Sequence, residues 1–179
     1  MNTNKFVRNC VFVVALNVLI GLSSHSVAGT TWDGGGNNDD WGDGGNWNDG
    51  SSPSTGTTVD LNFAGSTRLT PWNNYANYDD FRSIYFNSGA DSFTISGNSI
   101  DFFDGKIENN SSSSQSLNIA NFSFNNGSQE VNPVSGNLTL GGGGSIFNNG
   151  NWMDVYGDNG HTLTLGKSME GGGGRLVKK

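Results

Sequence analysis

The residues best suited to chemistry cluster in one short stretch. Thr31 to Asp49 reads TWDGGGNNDDWGDGGNWND. Asp33, Asp39, Asp40 and Asp43 are hard oxygen donors on a glycine-rich loop, the donor type that calcium takes. Their spacing lacks the alternate positions of an EF-hand loop, and the segment occurs once where calcium-binding nonapeptide arrays repeat. The expectation is therefore solvated turn acids, with calcium as the one candidate cofactor. The same region and the one after it carry Trp41, Trp47, Trp72 and Tyr75. Exposed, these rings would stack on sugars and make a carbohydrate-binding module; buried, they would form a small core.

Other chemistries are poorly supplied. Leu165-Gly166-Lys167-Ser168 resembles the end of a phosphate-binding loop, but the leading glycine is one residue out of place and Thr162 to Leu165 alternates as a strand. His161 lies in an Asp158-Asn159-Gly160 corner with no second histidine nearby, so it cannot build a zinc site. There is no Gly-x-Ser-x-Gly elbow for a hydrolase triad. The carboxylate pairs Asp101/Asp104 and Asp79/Asp80 have the type needed for glycoside hydrolysis. They sit at turn-like positions with few basic residues around them, and the chain is expected not to be an enzyme, with a polysaccharide-cleaving β-helix as the least favoured reading.

The elements that would position these groups come from a recurring pattern. Ser135 to Leu140 (SGNLTL) is followed by four glycines, and the same apolar-polar-apolar unit recurs at Phe93/Ile95, Leu117/Ile119 and Leu163/Leu165. The first apolar residues, Phe93, Leu117, Leu138 and Leu163, are spaced by 24, 21 and 25 residues. Alternation of period two means β-strands with one buried face. A near-constant period in that range means a solenoid. Between the main pairs lie further short pairs, such as Ile100/Phe102, Phe122/Phe124 and Met153/Val155, separated by Gly, Asn and Ser corners. That is the pattern of a three-sided coil. The expectation is an all-β chain, a short parallel β-helix of about four coils, about 20 Å long at roughly 4.8 Å per coil.

The composition agrees. Apolar residues make up 33% and charged residues 14%, with 28 glycines and 3 prolines, which favours turns over helices. Lys5 and Arg8, the apolar run Val11 to Leu22 and the small residues Ser26-Val27-Ala28 form a signal peptide over 1–28, too short to span a bilayer as a permanent helix. Its removal would take the only cysteine, Cys10, and leave 7 basic against 16 acidic residues. So acidic a surface disfavours nucleic acid and anionic lipid. The domain plan is a signal peptide at 1–28, an irregular Trp/Asp/Gly-rich N-terminal cap and connector at 29–58, and β-helix repeats at 59–179. No C-terminal cap or translocating barrel is recognisable, so the last coil is expected to be open to self-association.

Thr31 to Gly36 with Trp41 and Asn46-Trp47-Asn48, then Leu61 to Thr67, Ser88 to Asn98 and Ser135 to Gly144, resemble the opening of bacterial autotransporter-associated β-strand repeat proteins. Gly171 to Lys178 (GGGGRLVK) is similar to the start of that family's Gly-Gly-Leu-x-Lys repeat. The resemblance implies a right-handed helix, export to the outside of the cell or its surface, and a structural or adhesive role toward an unidentified surface or glycan.

Overall fold

In a computed structural model the chain is described over residues 29–157 and 160–179. The signal peptide expected at 1–28 and the Asp158-Asn159 part of the His161 corner lie outside the described residues. The fold is a parallel β-solenoid. After β1 (Gly29–Trp32), the first coil is β2 (Asp60–Phe63), β3 (Trp72–Asn73) and β4 (Asp79–Phe81). The second is β5 (Ser83–Phe86), β6 (Thr94–Gly97) and β7 (Ile100–Phe103); the third is β8 (Lys106–Asn109), β9 (Gln115–Ile119) and β10 (Phe122–Asn125). The fourth is β11 (Ser128–Asn132), β12 (Leu138–Leu140) and β13 (Ser145–Phe147); the fifth is β14 (Trp152–Val155), β15 (Leu163–Leu165) and β16 (Ser168–Glu170). The strand β17 (Arg175–Lys178) opens a sixth.

Equivalent strands stack into three parallel sheets. Sheet A runs β1-β2-β5-β8-β11-β14-β17, sheet B runs β3-β6-β9-β12-β15, and sheet C runs β4-β7-β10-β13-β16. The described residues thus hold five complete coils, one more than the roughly four expected. The extra coil is the first. Its sheet B strand is Trp72-Asn73, which has no apolar pair, so Arg68 to Asp80 reads from sequence as an excursion. Phe81 to Phe86 reads as one strand but bends at Arg82, where sheet C passes to sheet A.

The period is confirmed and the register is corrected. Ile95 pairs with Leu117, Leu117 with Leu140, and Leu140 with Leu165. The true steps on sheet B are 22, 23 and 25 residues. Matching first apolar residues slipped Leu117 alone by two positions: the true column is Phe93, Gln115, Leu138 and Leu163. A slip of two keeps every side chain on its face, so the buried set is as expected: Ile95, Ile100, Phe102, Leu117, Phe122, Phe124, Leu138, Leu140 and Ile146 are all buried.

The position left by the slip is filled by a polar residue. Gln115 stands in the inward column of Phe93 and Leu138 and is 2% exposed. Its Oε1 accepts from the Phe93 N–H at 2.8 Å, and its Nε2 donates to the Asp91 and Ser113 carbonyls. Gln129 does the same at a sheet A corner, accepting from the Gly105 N–H and donating to the Asn125 and Asn126 carbonyls. Corners leave backbone groups that no ladder satisfies, and a buried amide meets a donor and two acceptors at once. Gly105 itself has no room for a side chain: a Cβ there would lie 1.8 Å from the Arg82 carbonyl oxygen.

Candidate functional site

The Trp/Asp/Gly segment is a lid over the first coil. It covers all three sheets at that end. β1 pairs with β2 on sheet A. On sheet B, the Trp41 N–H donates to the Trp72 carbonyl at 3.0 Å and the Trp72 N–H to the Asp39 carbonyl at 2.7 Å. On sheet C, the Gly56 N–H donates to the Asp80 carbonyl at 2.7 Å. The lid is held by side chains suited to turns. Asp43 caps the 3-10 turn Gly44–Asn46, accepting from the Gly45 and Asn37 N–H groups, and these bonds lower its pKa. Asn46, fully buried, accepts from the Gly36 N–H and donates to the Asn38 and Asp40 carbonyls. Its role could not be read from sequence, because nothing separates it there from the other asparagines.

Beneath the lid the indoles form an aromatic plug. Trp32, Trp41 and Trp47 are buried, and Phe63 lies within 6.1 Å of each ring. Trp32 and Trp47 meet edge to face at 5.3 Å, a favoured geometry. The Trp47 Nε1–H donates to the Trp41 carbonyl at 2.7 Å, and the Trp32 Nε1–H to the Arg68 carbonyl at 3.2 Å. Two of the four candidate sugar-stacking residues, Trp41 and Trp47, are thus sealed under the lid, where no ring can reach them. Tyr75 is half-buried against Phe81 with its hydroxyl on the Pro53 carbonyl. Only Trp72 presents an open face, at 47% exposure. A second exposed indole, Trp152, lies on sheet A beneath Arg175.

The calcium candidates do not converge. Asp33 accepts from the Gly35 N–H, and Asp39 holds Arg68 and Thr70 at 3.2 and 2.8 Å. Asp43 is committed to two backbone N–H groups, and Asp40 sits in the bridge to Trp72. No group of three metal-type side chains is close enough to hold an ion among the described residues. Asp33 and Asp43 form turns because a carboxylate bonds readily to the N–H two residues on.

Asp79 and Asp80 are consecutive residues of β4, so their side chains leave opposite faces of sheet C. Asp79 caps the turn at Ala76. The structure instead aligns Asp80 with Asp101 across two coils of sheet C. Burial, with Asp80 adding to it, raises the Asp101 pKa. One Asp101 oxygen accepts from Asn125 at 2.9 Å; the other is buried with no hydrogen-bond partner. His161 lines a concavity of about 250 Å³ with Tyr156, Leu163, Leu165 and Lys178. Lys167 turns back along the solenoid, bonding the Ala120 and Gly143 carbonyls over the Phe122 ring. It is anchored structurally, and burial lowers its pKa.

Sheet B has an outer face of a different kind. Thr94, Ser116, Thr139 and Thr164 occupy one row in successive coils. Ser96 and Asn118 form the next row, which starts at Trp72. No strand of this sheet contains Asp, Glu, Lys or Arg. The row is a consequence of period two beside the apolar pairs, yet its alignment needs the correct register.

Among the described residues, no helix is long and apolar enough to cross a membrane. Comparison with protein-family profiles, with curated proteins and with solved structures returned no match.

Proposed function

We propose that the chain is an exported, non-enzymatic structural or adhesive protein, a β-helical spacer of the autotransporter-passenger type. The observation that carries this reading is the unbroken three-sheet ladder closed at its N-terminal end by an aromatic lid. Such a stack pairs its backbone coil by coil and resists bending and proteolysis. The polar side chains of the lid are spent on turns, which fits a building element better than a reaction centre. The export half rests on the N-terminal segment. The test is expression in a Gram-negative host. Recovery outside the cytoplasm of a chain cleaved after Ala28, with a protease-resistant core from Gly29, is the expected result. An uncleaved cytoplasmic chain would refute export; rapid digestion throughout would refute the rigid spacer.

The outer face of sheet B favours a second reading, a neutral-glycan binding face. Its hydroxyl rows are uncharged in a chain of net charge −7, and Trp72 stands at one end. The aromatic would stack on one sugar while the Ser, Thr and Asn rows bond hydroxyls along the chain. Retardation of the protein in gels containing neutral polysaccharide, lost on Trp72→Ala, is the expected result.

A further inference from the structure

Sheet B differs from its two neighbours in charge and in repetition. Sheet A carries Lys106, Glu108, Glu130 and Asp154, and sheet C carries Asp79, Asp80, Asp101 and Glu170. The strands of sheet B carry no charged side chain, and their outer face repeats hydroxyls from coil to coil. Thr94, Ser116, Thr139 and Thr164 align in one row. The Thr94 N–H donates to the Leu69 carbonyl, which sets Thr70 at the head of that row, its hydroxyl held by Asp39 at 2.8 Å. Two residues earlier in each coil, Ser92, Ser114, Asn137 and Thr162 are all exposed. Trp72, paired with Ser96, is the open aromatic of this face.

The two directions on this face are not equivalent. Along the solenoid axis the same kind of side chain recurs in every coil, roughly 4.8 Å apart. Across the strands the step between outward residues is roughly 6.6 Å, and the residue changes, from Ser116 to Asn118 in β9. A homopolymer offers the same groups at every unit, so it keeps register along the axis alone. An extended chain of β-1,4-linked pyranoses advances about one strand spacing per sugar. An α-1,4-linked chain coils and leaves the row after a few units. Charge selects in the same sense. Hydroxyl and amide groups exchange water for sugar hydroxyls at small net cost, whereas covering a charge with a neutral sugar strips its hydration without a counter-charge.

We infer that sheet B binds a linear, neutral, β-1,4-linked polysaccharide laid parallel to the solenoid axis, with one sugar per coil. This rests on the reading of sheet B as a neutral-glycan face and adds the linkage and the direction. One pyranose stacks on the open face of Trp72 in the first coil. The following units pass Thr94, Ser116, Thr139 and Thr164 in turn, one per coil, and exchange hydrogen bonds with that row. The exposed row from Ser92 to Thr162 flanks them on one side. Each hydroxyl both donates and accepts, as sugar hydroxyls do, so every coil can pair with the unit above it. A single such contact is weak, and binding strength comes from repeating it along the extended surface that stacked coils present.

The experiment is titration calorimetry of the purified chain with β-1,4-linked gluco-oligosaccharides of two to five units, and with the α-1,4-linked series alongside. The expected result is an affinity that rises with each added β-1,4 unit, about tenfold or more from the disaccharide to the pentasaccharide, with no such rise in the α-1,4 series. Thr139→Lys raises a solvated cation within the row and should lower the pentasaccharide affinity about tenfold, with an unchanged circular dichroism spectrum. Ser128→Lys, exposed on sheet A, should leave it unaltered. Absence of binding by every oligosaccharide would overturn the proposal, and if neutral polysaccharide gels also fail to retard the chain, the glycan face falls with it. Retardation that depends on Trp72, with an affinity indifferent to length, linkage or Thr139→Lys, would keep the glycan face and overturn the axial placement.

Discussion

The Phe93 N–H donates to the Oε1 of Gln115, 2.8 Å away in the next coil, and both residues are buried in one inward column. An apolar residue at 115 would continue the column but leave the Phe93 N–H unpaired. Gln115→Leu should therefore cost about 1–3 kcal/mol, the scale of one unsatisfied buried group, despite its better hydrophobicity. Gln115→Glu should cost more at neutral pH, since it removes the donor to Asp91 and Ser113 and buries a charge. Urea midpoints of the two variants test the order.

The aromatic lid makes a fluorescence prediction. Replacing Trp72 and Trp152 with Phe should leave blue-shifted emission that acrylamide barely quenches, because Trp32, Trp41 and Trp47 are buried. Trp47→Phe should destabilise more than Trp41→Phe. The first loses a hydrogen bond to the Trp41 carbonyl along with ring volume, whereas the Trp41 Nε1–H has no partner to lose. The difference expected is about 1 kcal/mol. Equal losses, read from thermal unfolding, would contradict the hydrogen bond's contribution.

Asp60 and Arg82 form a bidentate pair at the start of sheet A, with the Asp60 side chain 4% exposed and that of Arg82 29%. The carboxylate raises the Arg82 pKa. Arg82→Leu would strand a buried carboxylate and should cost about 3–5 kcal/mol. Restoration of stability at neutral pH by adding Asp60→Asn would identify the stranded charge as the cause.

The Asp80/Asp101 alignment predicts a pH dependence. Burial and Asp80 raise the Asp101 pKa above its ordinary 3.8, so the folded state holds that proton more tightly than the unfolded chain. Its destabilising contribution is absent below pH 3.8 and develops as pH rises through the raised value. Asp101→Asn should thus stabilise the chain at pH 7 by about 0.5 kcal/mol, the scale of a like-charge cross-strand pair. The gain should shrink toward zero near pH 3.5. A gain independent of pH, in paired melting curves, would assign the effect to packing instead.

Close approach of coils predicts the strongest local defect. Gly105→Ala would drive a Cβ into the Arg82 carbonyl, which is backbone and cannot rotate away. A loss above about 2 kcal/mol is expected, against less than about 0.5 kcal/mol for Gly143→Ala, where the space is open.

What the sequence determined by itself was the class of structure. Period-two alternation at Leu138/Leu140 and its relatives, repeated every 21 to 25 residues, compels a stacked three-sided β-coil, because no single coil can bury those pairs alone. The buried set survived a misread register because strand faces repeat every two residues. Position across coils was decided only by the tertiary structure. Nothing local distinguishes Trp41, sealed under the lid, from Trp72, open on sheet B, since both are tryptophans in polar, turn-rich stretches. Gln115 reads as surface polar until its column is known, and Asp80 and Asp101 become neighbours only when the coils stack. Those outcomes depend on contacts between residues more than twenty positions apart, and such contacts are set by the register of the stack.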